Sequence, residues 1–154
     1  MTTELTIRRA TEADHEALVS IWLASVRRTH TFLSEPEIQA LLPVVREQAL
    51  PGLEVWILLD GDTPIGFSGL DGNRLEALFL HPDHLGKGGG RRFVDHARSL
   101  KGPLLVDVNE QNPEALRFYE AVGFEVFGRS ETDGDGRPYP LLHMREKNVP
   151  KPGD

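Results

Sequence analysis

The most constraining feature of the sequence is a strand-like run, a glycine-rich turn and a helical pattern that follow one another over residues 75–100. Residues 75–80 are mostly apolar, and Pro82 ends the run because proline cannot donate a hydrogen bond to a sheet. Residues 86–92 are Gly-Lys-Gly-Gly-Gly-Arg-Arg, and apolar residues then recur at helical spacing. Main-chain N–H groups at such a turn, beside a helix N-terminus, favour a bound phosphate.

Two common phosphate-binding loops do not match this turn. A Walker A loop needs Ser or Thr after Gly-Lys, whereas Gly88 follows Lys87. A dinucleotide fingerprint that begins at Gly86 needs glycine at position 91, which is arginine. A nucleotide-phosphate binder therefore remains only as a weaker alternative.

The segment resembles the acyl-CoA signature of the GNAT superfamily of N-acyltransferases. That signature is Arg/Gln-x-x-Gly-x-Gly/Ala, after a strand that ends in an aliphatic-x-Pro and before a helix. Gly88 and Gly90 occupy its two glycine positions, and residues 80–82 match the end of the strand. Leu85 replaces the Arg or Gln, so one side-chain contact to the pyrophosphate is missing from the expected set.

A second segment, residues 106–124, is similar to the strand and helix that follow in the same superfamily. The superfamily pattern is Asn-x-x-Ala-x-x-Phe-Tyr-x-x-x-Gly-Phe. The residues that match it in register are Asn112, Ala115, Phe118, Tyr119, Gly123 and Phe124. The two motifs have the order and separation expected of the superfamily and together span roughly residues 75–128.

The predicted elements follow the order β, α, α, β, β, β, α, β, α, β, β, which indicates an α/β (α+β) chain. Strands at 53–59, 63–70 and 75–80 are joined by short turns and are expected to be antiparallel. A helix at 90–101 precedes a strand at 104–108, which is expected to be parallel to its predecessor and buried on both faces. The resemblance implies the GNAT fold: a mixed, mostly antiparallel sheet with helices on both faces, splayed between the fourth and fifth strands.

The first part of the chain predicts a strand at 5–9 and two helices. Thr11 and Asp14 favour a helix start, and a second helix begins at Ser34, with a break or kink at Pro43. The resemblance implies that these helices form one wall of an acceptor groove. The residues expected to face the substrate are Trp22, Thr29, His30, Phe32 and Leu33. A purely structural role in the core remains open for Trp22 and Leu33.

The last part predicts closing strands at 124–130 and 139–145 around an acidic turn. That turn lacks the residue an EF-hand would need at position 137, which is arginine. We expect one GNAT domain over residues 1–147 and a flexible C-terminal tail over 148–154.

Composition excludes several classes of function. The formal net charge is −7, which argues against binding to nucleic acid, and the chain has no cysteine for a disulfide or thiolate site. No apolar run approaches the ~20 residues of a membrane helix, and no secretory signal is evident. We therefore expect a cytoplasmic protein that does not bind membranes, as a monomer or homodimer. The histidines lack metal-ligand spacing, which predicts no metal site, although His143 is a candidate to face the groove.

The resemblance implies acetyl-CoA as cosubstrate. Main-chain groups of residues 78–80 would bind the pantetheine arm, the N–H groups of residues 86–91 would hold the pyrophosphate, and Asn112 would reach the pantetheine. The implied cofactor-binding residues are Leu78, Phe79, Leu80, Gly86, Lys87, Gly88, Gly89, Gly90, Arg91 and Asn112.

Acyl transfer from a thioester to an amine has three chemical requirements. The amine must be neutral, because an ammonium with a pKa near ~10.4 has no lone pair. The oxyanion needs a donor, for which the family uses a free main-chain N–H, here near Leu80. The thiolate benefits from a proton donor, and Tyr119 matches the family position that supplies it. The candidate bases are Asp107, five residues before Asn112, and Glu76, although either carboxylate could simply be solvated.

The resemblance therefore implies an N-acetyltransferase that acts by direct attack in a ternary complex. The acceptor is expected to be a primary amine, on a small molecule, a protein lysine or an N-terminus. A non-catalytic acyl-CoA-binding sensor or regulatory module on the same fold is the alternative, because Leu85 departs from the motif.

Overall fold

The computed structural model describes residues 4–134 and 136–147. Within these residues, seven strands form one sheet in the order β1-β2-β3-β4-β5-β7-β6. The strands are β1 (Leu5–Arg9), β2 (Glu54–Asp60), β3 (Thr63–Asp71), β4 (Arg74–Leu80), β5 (Leu105–Asn109), β6 (Phe124–Ser130) and β7 (Leu141–Glu146). The helices are α1 (His15–Thr29), α2 (Glu35–Val44), α3 (Leu50–Gly52), α4 (Gly89–Lys101) and α5 (Pro113–Ala121).

The pairing of β4 with β5 divides the sheet into two parts. These strands are parallel, and every other neighbouring pair is antiparallel. They pair only at Arg74 with Leu105 and at Leu75 with Val106. Beyond these pairs the strands separate, and we call the gap between residues 76–80 and residues 107–109 the fork. The predicted mixed sheet, splayed between its fourth and fifth strands, is confirmed.

Helices cover the two faces of the sheet unequally. On one face, α4 and α5 enclose a core that includes Val94, Val106 and Met144. On the other face, α1 and α2 pack on β2, β3 and β4 around Ile57 and Phe67. This second core contains no residue of β5, β6 or β7 among those described. We call the surface of these three strands on that side the open face.

The open face corrects the expectation that the fifth strand is buried on both faces. Val106 and Val108 are buried under α4 and α5, but Asp107 between them is exposed. Because side chains alternate along a strand, Asp107 points to the open face. The sequence run was apolar enough to suggest a fully enclosed strand, but no helix covers its second side.

A break or kink was predicted at Pro43, and the structure has a change from α-helix to π-helix directly after it. The α2 helix continues to Val44, a π-helix follows directly at Val45–Ala49, and α3 completes the segment. Proline has no N–H for the helical hydrogen-bond pattern, and its ring crowds the preceding turn. A local change to wider π turns accommodates this defect without ending the helix.

Asp14, one of the two residues that were predicted to favour a helix start, links the first strand to the segment that leads into the first helix. Its two carboxylate oxygens accept from the two Nη atoms of Arg8, at 2.8 and 2.9 Å. One of these oxygens also accepts from the main-chain N–H of Thr11 at 2.8 Å. The hydrogen bond from Arg8 is the main reason that the pKa of Asp14 falls from 3.8 to about 2.

We expect Asp14→Asn to lower the free energy of unfolding by about 1 kcal/mol near neutral pH. This value is modest because the Arg8 side chain is half-exposed, so solvent screens the pair. The pKa of Asp14 is lower in the folded state, so the wild-type advantage is present above pH 3.8 and is lost as the pH falls towards about 2. Urea unfolding of both proteins across this range measures the effect; a pH-independent difference would contradict it.

Candidate active site

A cavity of about 240 Å³ lies beside the fork, and we call it the fork cavity. Its walls come from residues 78–80 of β4, from Gly90 at the start of α4, and from the C-terminal end of α1. The remaining wall is one side of α5, including Asn112 and Tyr119. Both sequence motifs therefore contribute to one cavity.

Main-chain groups of β4 face the fork at alternate residues. The N–H of His81 donates to Ile65 O on β3, at 2.8 Å. In antiparallel pairing, successive residues direct their main-chain groups to opposite sides, so those of Leu78 and Leu80 point towards the fork. Phe79 directs its main-chain groups to β3 and contributes its side chain to the cavity wall.

The glycine turn, residues 86–90, leads into α4 with space around its main chain. Gly86 and Gly88 have φ angles of 84° and 79°, which L side chains rarely adopt. A Cβ at either position would meet nothing within 4 Å. The N–H groups of residues 89–91 belong to the first helical turn and lack partners within the helix. The turn is therefore open and rich in donors, which suits a diphosphate.

Two of the predicted phosphate-binding glycines have a packing role. A Cβ on Gly89 would lie 2.8 Å from Cδ2 of Leu58, and one on Gly90 would lie 2.9 Å from the Phe118 ring. Only glycine lets the start of α4 approach the sheet and α5 this closely. The sequence motif therefore serves the helix packing around the cavity as well as the turn itself.

Lys87 is held beside the glycine turn and does not extend over it. Its Nζ lies 2.8 Å from Oδ2 of Asp60 on β2 and 2.9 Å from Nδ1 of His84. The ammonium thus fastens the turn to the sheet. Arg91, also predicted to bind the cofactor, is exposed in the first turn of α4.

Tyr119 is held in the fork cavity by aromatic neighbours. Its ring lies edge-on to Phe118 and Phe124, with centroid distances of 5.0 and 5.5 Å. Burial raises the pKa of Tyr119, so the phenol retains its proton at neutral pH. Asn112 caps α5, and its Oδ1 accepts from Ala115 N at 3.2 Å. Its amide NH₂ can still donate towards the cavity that it lines.

A second cavity of about 380 Å³, the groove cavity, lies between β4 and the π-helix. Its walls are largely apolar and include Trp22, Phe67 and Phe79. Asp71 and Glu76 also line it. Phe79 lines both cavities, so the two spaces lie next to each other.

A β-bulge lies at Glu76 in β4. Gly69 pairs with Ala77 and Leu70 pairs with Leu75, so Glu76 is the extra residue of β4. Leu75 packs in the core under α4 and α5, whereas Ala77 packs on the α1 side. Glu76 and Ala77 therefore face the same side of the sheet, and both line the groove cavity.

The environment of Glu76 favours the protonated carboxyl more than water does. Burial is the main cause that raises the pKa of Glu76, and the negative charges of Asp107 and Asp71 act in the same direction. Arg74 opposes them, with its Nε 3.5 Å from Oε1 of Glu76. A raised pKa brings a carboxylate nearer to the range useful for proton transfer.

Asp107, the other candidate base, has both oxygens engaged on the open face. Oδ2 accepts from Nη1 of Arg74 at 3.2 Å, and Oδ1 lies 2.6 Å from Nδ1 of His143. Nε2 of His143 lies 2.7 Å from Oγ of Ser130. His143, which was predicted to face the groove, belongs to this hydrogen-bond network. The sequence did not reveal Arg74 and Ser130 as members, because the residues of the network lie on four different strands.

The residues expected to face the substrate are distributed over several places. Trp22 lines the groove cavity, while Thr29 and His30 line the fork cavity. Burial lowers the pKa of His30, which keeps its imidazole neutral. Phe32 stacks between His30 and Tyr139, and Leu33 lies in a small pocket near Tyr139.

Comparison with known proteins agrees with this geometry. The family profile described as "Acetyltransferase (GNAT) domain" matches residues 51–126. Peptidyl-lysine N-acetyltransferase YjaB of Escherichia coli K12 is 45% identical over 141 residues, which are 91% of this chain and 95% of that protein. The chain belongs to the GNAT acetyltransferase family. YjaB of Salmonella typhimurium LT2 is 43% identical, over 91% of this chain and 97% of that protein.

A solved structure supports the assignment to the GNAT family. The solution structure of apo YjaB from Escherichia coli superposes with a TM-score of 0.86 at 43% identity, over 95% of this chain and 99% of that one. The prediction of a GNAT acetyltransferase is thereby confirmed, and catalysis is favoured over a non-catalytic binding module.

In the described part of this GNAT chain, no helix is both long enough and apolar enough to span a membrane. Over the same residues, no group of three or more His, Cys, Asp or Glu side chains is arranged to hold a metal ion.

Close packing at Gly90 is testable by adding one methyl group. We expect Gly90→Ala to lower the free energy of unfolding by about 1–3 kcal/mol, because its Cβ would overlap the Phe118 ring. Gly52→Ala is the matched control: its Cβ would meet nothing within 4 Å, so a change within about 0.5 kcal/mol is expected. Urea unfolding measures both; equal stability of the two variants would refute the packing role.

Proposed function

We propose that this chain transfers the acetyl group of acetyl-CoA to the ε-amine of a lysine side chain in a protein or peptide. The relatives of 45% and 43% identity carry the name peptidyl-lysine N-acetyltransferase. The observation that carries the proposal is that Phe79 borders two neighbouring cavities, one lined by Tyr119 and the other by Glu76.

In this proposal the fork cavity binds acetyl-CoA. The free N–H groups of the glycine turn and the first turn of α4 hold the diphosphate. The pantetheine arm lies along β4 and bonds to the main chain of Leu78 and Leu80, in the position of an added strand. Asn112 donates to the arm through its amide NH₂, and Phe79 borders the arm through its ring.

The groove cavity binds the acceptor. Apolar walls from Trp22, Phe67 and Phe79 suit the four methylene groups of a lysine side chain. Glu76 and Asp71 supply negative charge for the ammonium group. A basic segment of a protein also suits the acidic chain, whose net charge is −7.

The reaction forms one C–N bond and breaks one C–S bond. The Glu76 carboxylate accepts a proton from the lysine ammonium, and the neutral amine attacks the thioester carbonyl. The main-chain N–H of Leu80 stabilises the oxyanion. As the intermediate collapses, Tyr119 donates its phenolic proton to the departing thiolate. The second proton of the attacking nitrogen passes through solvent to the Tyr119 phenolate, and Glu76 releases its proton to solvent, so that both groups return to their starting states.

Asp107 has a positioning role in this scheme. Arg74 and His143 contact its two oxygens, so both oxygens already have partners other than the acceptor amine. Asp107 accepts a hydrogen bond from Arg74. This bond keeps Nε of Arg74 at 3.5 Å from Oε1 of Glu76, so that Arg74 does not form a closer ion pair with Glu76. The proposal assigns catalysis to one domain over residues 1–147, acting in the cytoplasm; residues 148–154 lie outside the described part of the chain.

We expect the wild-type protein to release CoA thiol from acetyl-CoA only when a lysine-containing peptide is present. Tyr119→Phe should lower kcat by at least about tenfold, because it removes the proton donor. CoA binding, measured by calorimetry, should be nearly unchanged, because the phenyl ring keeps the aromatic packing. Turnover of Tyr119→Phe at the wild-type rate would remove Tyr119 from the mechanism, and CoA binding without thiol release from any amine would restore the binding-module alternative.

The two candidate bases are distinguished by their pH–rate profiles. We expect Glu76→Gln to lower kcat/KM by at least about 100-fold and to abolish the acidic limb of the profile. Burial raises the pKa of Glu76, so in the wild type this limb should lie above the ordinary carboxyl range. Asp107→Asn should keep the limb. Loss of the limb in Asp107→Asn, with its retention in Glu76→Gln, would reverse the assignment.

A further inference from the structure

One cationic side chain in the fork cavity has no role in the proposed chemistry. Arg28 lies in the last turn of α1 and lines the cavity together with Ser25 and Thr29. Ser25 is three positions before Arg28, so these two residues share a helix face. Arg27 points elsewhere, because its Nε pairs with Oε1 of Glu35 at 2.7 Å. Adjacent arginines thus have separate surroundings, and only Arg28 borders the cavity.

Negative charge on the α1 side of the fork cavity favours a cation there. The C-terminal end of α1 carries partial negative charge, and Glu114 adds a carboxylate to the lining. Leu85, which lines the cavity from the loop, supplies no charge. The ammonium of Lys87 is bound to Asp60 at 2.8 Å. Among the described residues that line this cavity, Arg28 is the one lysine or arginine.

We propose that Arg28 binds the diphosphate of acetyl-CoA from the α1 side of the fork cavity. Its guanidinium supplies the side-chain cation that the loop lacks at Leu85, and it faces a diphosphate held by the N–H groups of α4. Guanidinium groups pair with phosphate oxygens through two parallel hydrogen bonds. This inference rests on the proposed function, since it assumes that the fork cavity holds acetyl-CoA.

The test compares acyl donors that differ in phosphate content. Arg28→Ala should raise KM for acetyl-CoA by about tenfold with little change in kcat. The same loss is expected with acetyl-dephospho-CoA, which keeps the diphosphate but lacks the 3′-phosphate. S-acetylpantetheine has neither group, so its kcat/KM should be unchanged. A residue that only stabilised α1 would affect all three donors alike.

Two further variants test whether the effect is specific to a cation in the fork cavity. Arg27→Ala is the matched control: it removes the same charge one residue away and should leave all three donors within about twofold, since Arg27 is engaged outside the cavity. Arg28→Ala combined with Leu85→Arg returns a cation to the cavity from the loop and should recover most of the lost affinity.

Several results would overturn the assignment of Arg28. They are equal losses for all donors, no loss for acetyl-CoA, and a loss confined to acetyl-CoA that disappears with acetyl-dephospho-CoA. Calorimetry with CoA, dephospho-CoA and pantetheine gives the same comparison without turnover. If the wild type acetylates no amine, the proposed activity is rejected, but calorimetry still tests whether Arg28 binds the diphosphate. If the wild type does not bind CoA, the proposed activity and the role of Arg28 are both rejected.

Discussion

The structure depends on the early end of pairing between β4 and β5. Only two residues of each strand are paired, so the main-chain groups of Leu78 and Leu80 lie in the middle of a sheet without a neighbouring strand. Such groups need hydrogen-bond partners, and a linear ligand with amide groups can supply them. The same separation creates the space that α1, α4 and α5 enclose. In the proposed function the binding site is therefore the gap between these two strands, and β geometry explains why it would take an extended chain.

The fork also separates two kinds of electrostatic environment. On one side, Tyr119 is enclosed by aromatic rings, which keep its phenol neutral. On the other side, Glu76 lies among charged groups, where Arg74 and Asp107 act on it with opposite sign. In the proposed reaction Tyr119 gives a proton and Glu76 takes one, and groups with such opposite tasks benefit from different surroundings. On this proposal, one division of the sheet supplies both the cleft and the difference between acid and base.

Local features of the fold could be predicted from the sequence, whereas several long-range features could not. The glycine turn and the first turn of α5 are encoded by neighbouring residues, so their motifs were recognisable. The bulge at Glu76 depends on how β3 pairs with β4, and residues 75–80 give no local sign of it. Asp107 meets His143 across 36 positions, and Lys87 meets Asp60 across 27. The π turns after Pro43 likewise reflect how the chain accommodates proline within a packed helix, which a periodic pattern cannot specify.

In the proposed function, the contact of Lys87 with Asp60 and His84 affects how the coenzyme binds. Because the Lys87 side chain already has partners, less configurational entropy is lost on ordering it when the coenzyme enters. Association is then expected to proceed as a single concentration-dependent phase, limited by diffusional encounter and not by slow rearrangement of this side chain. Asp60, from a distant strand, thus holds one side chain of the glycine turn in place in advance.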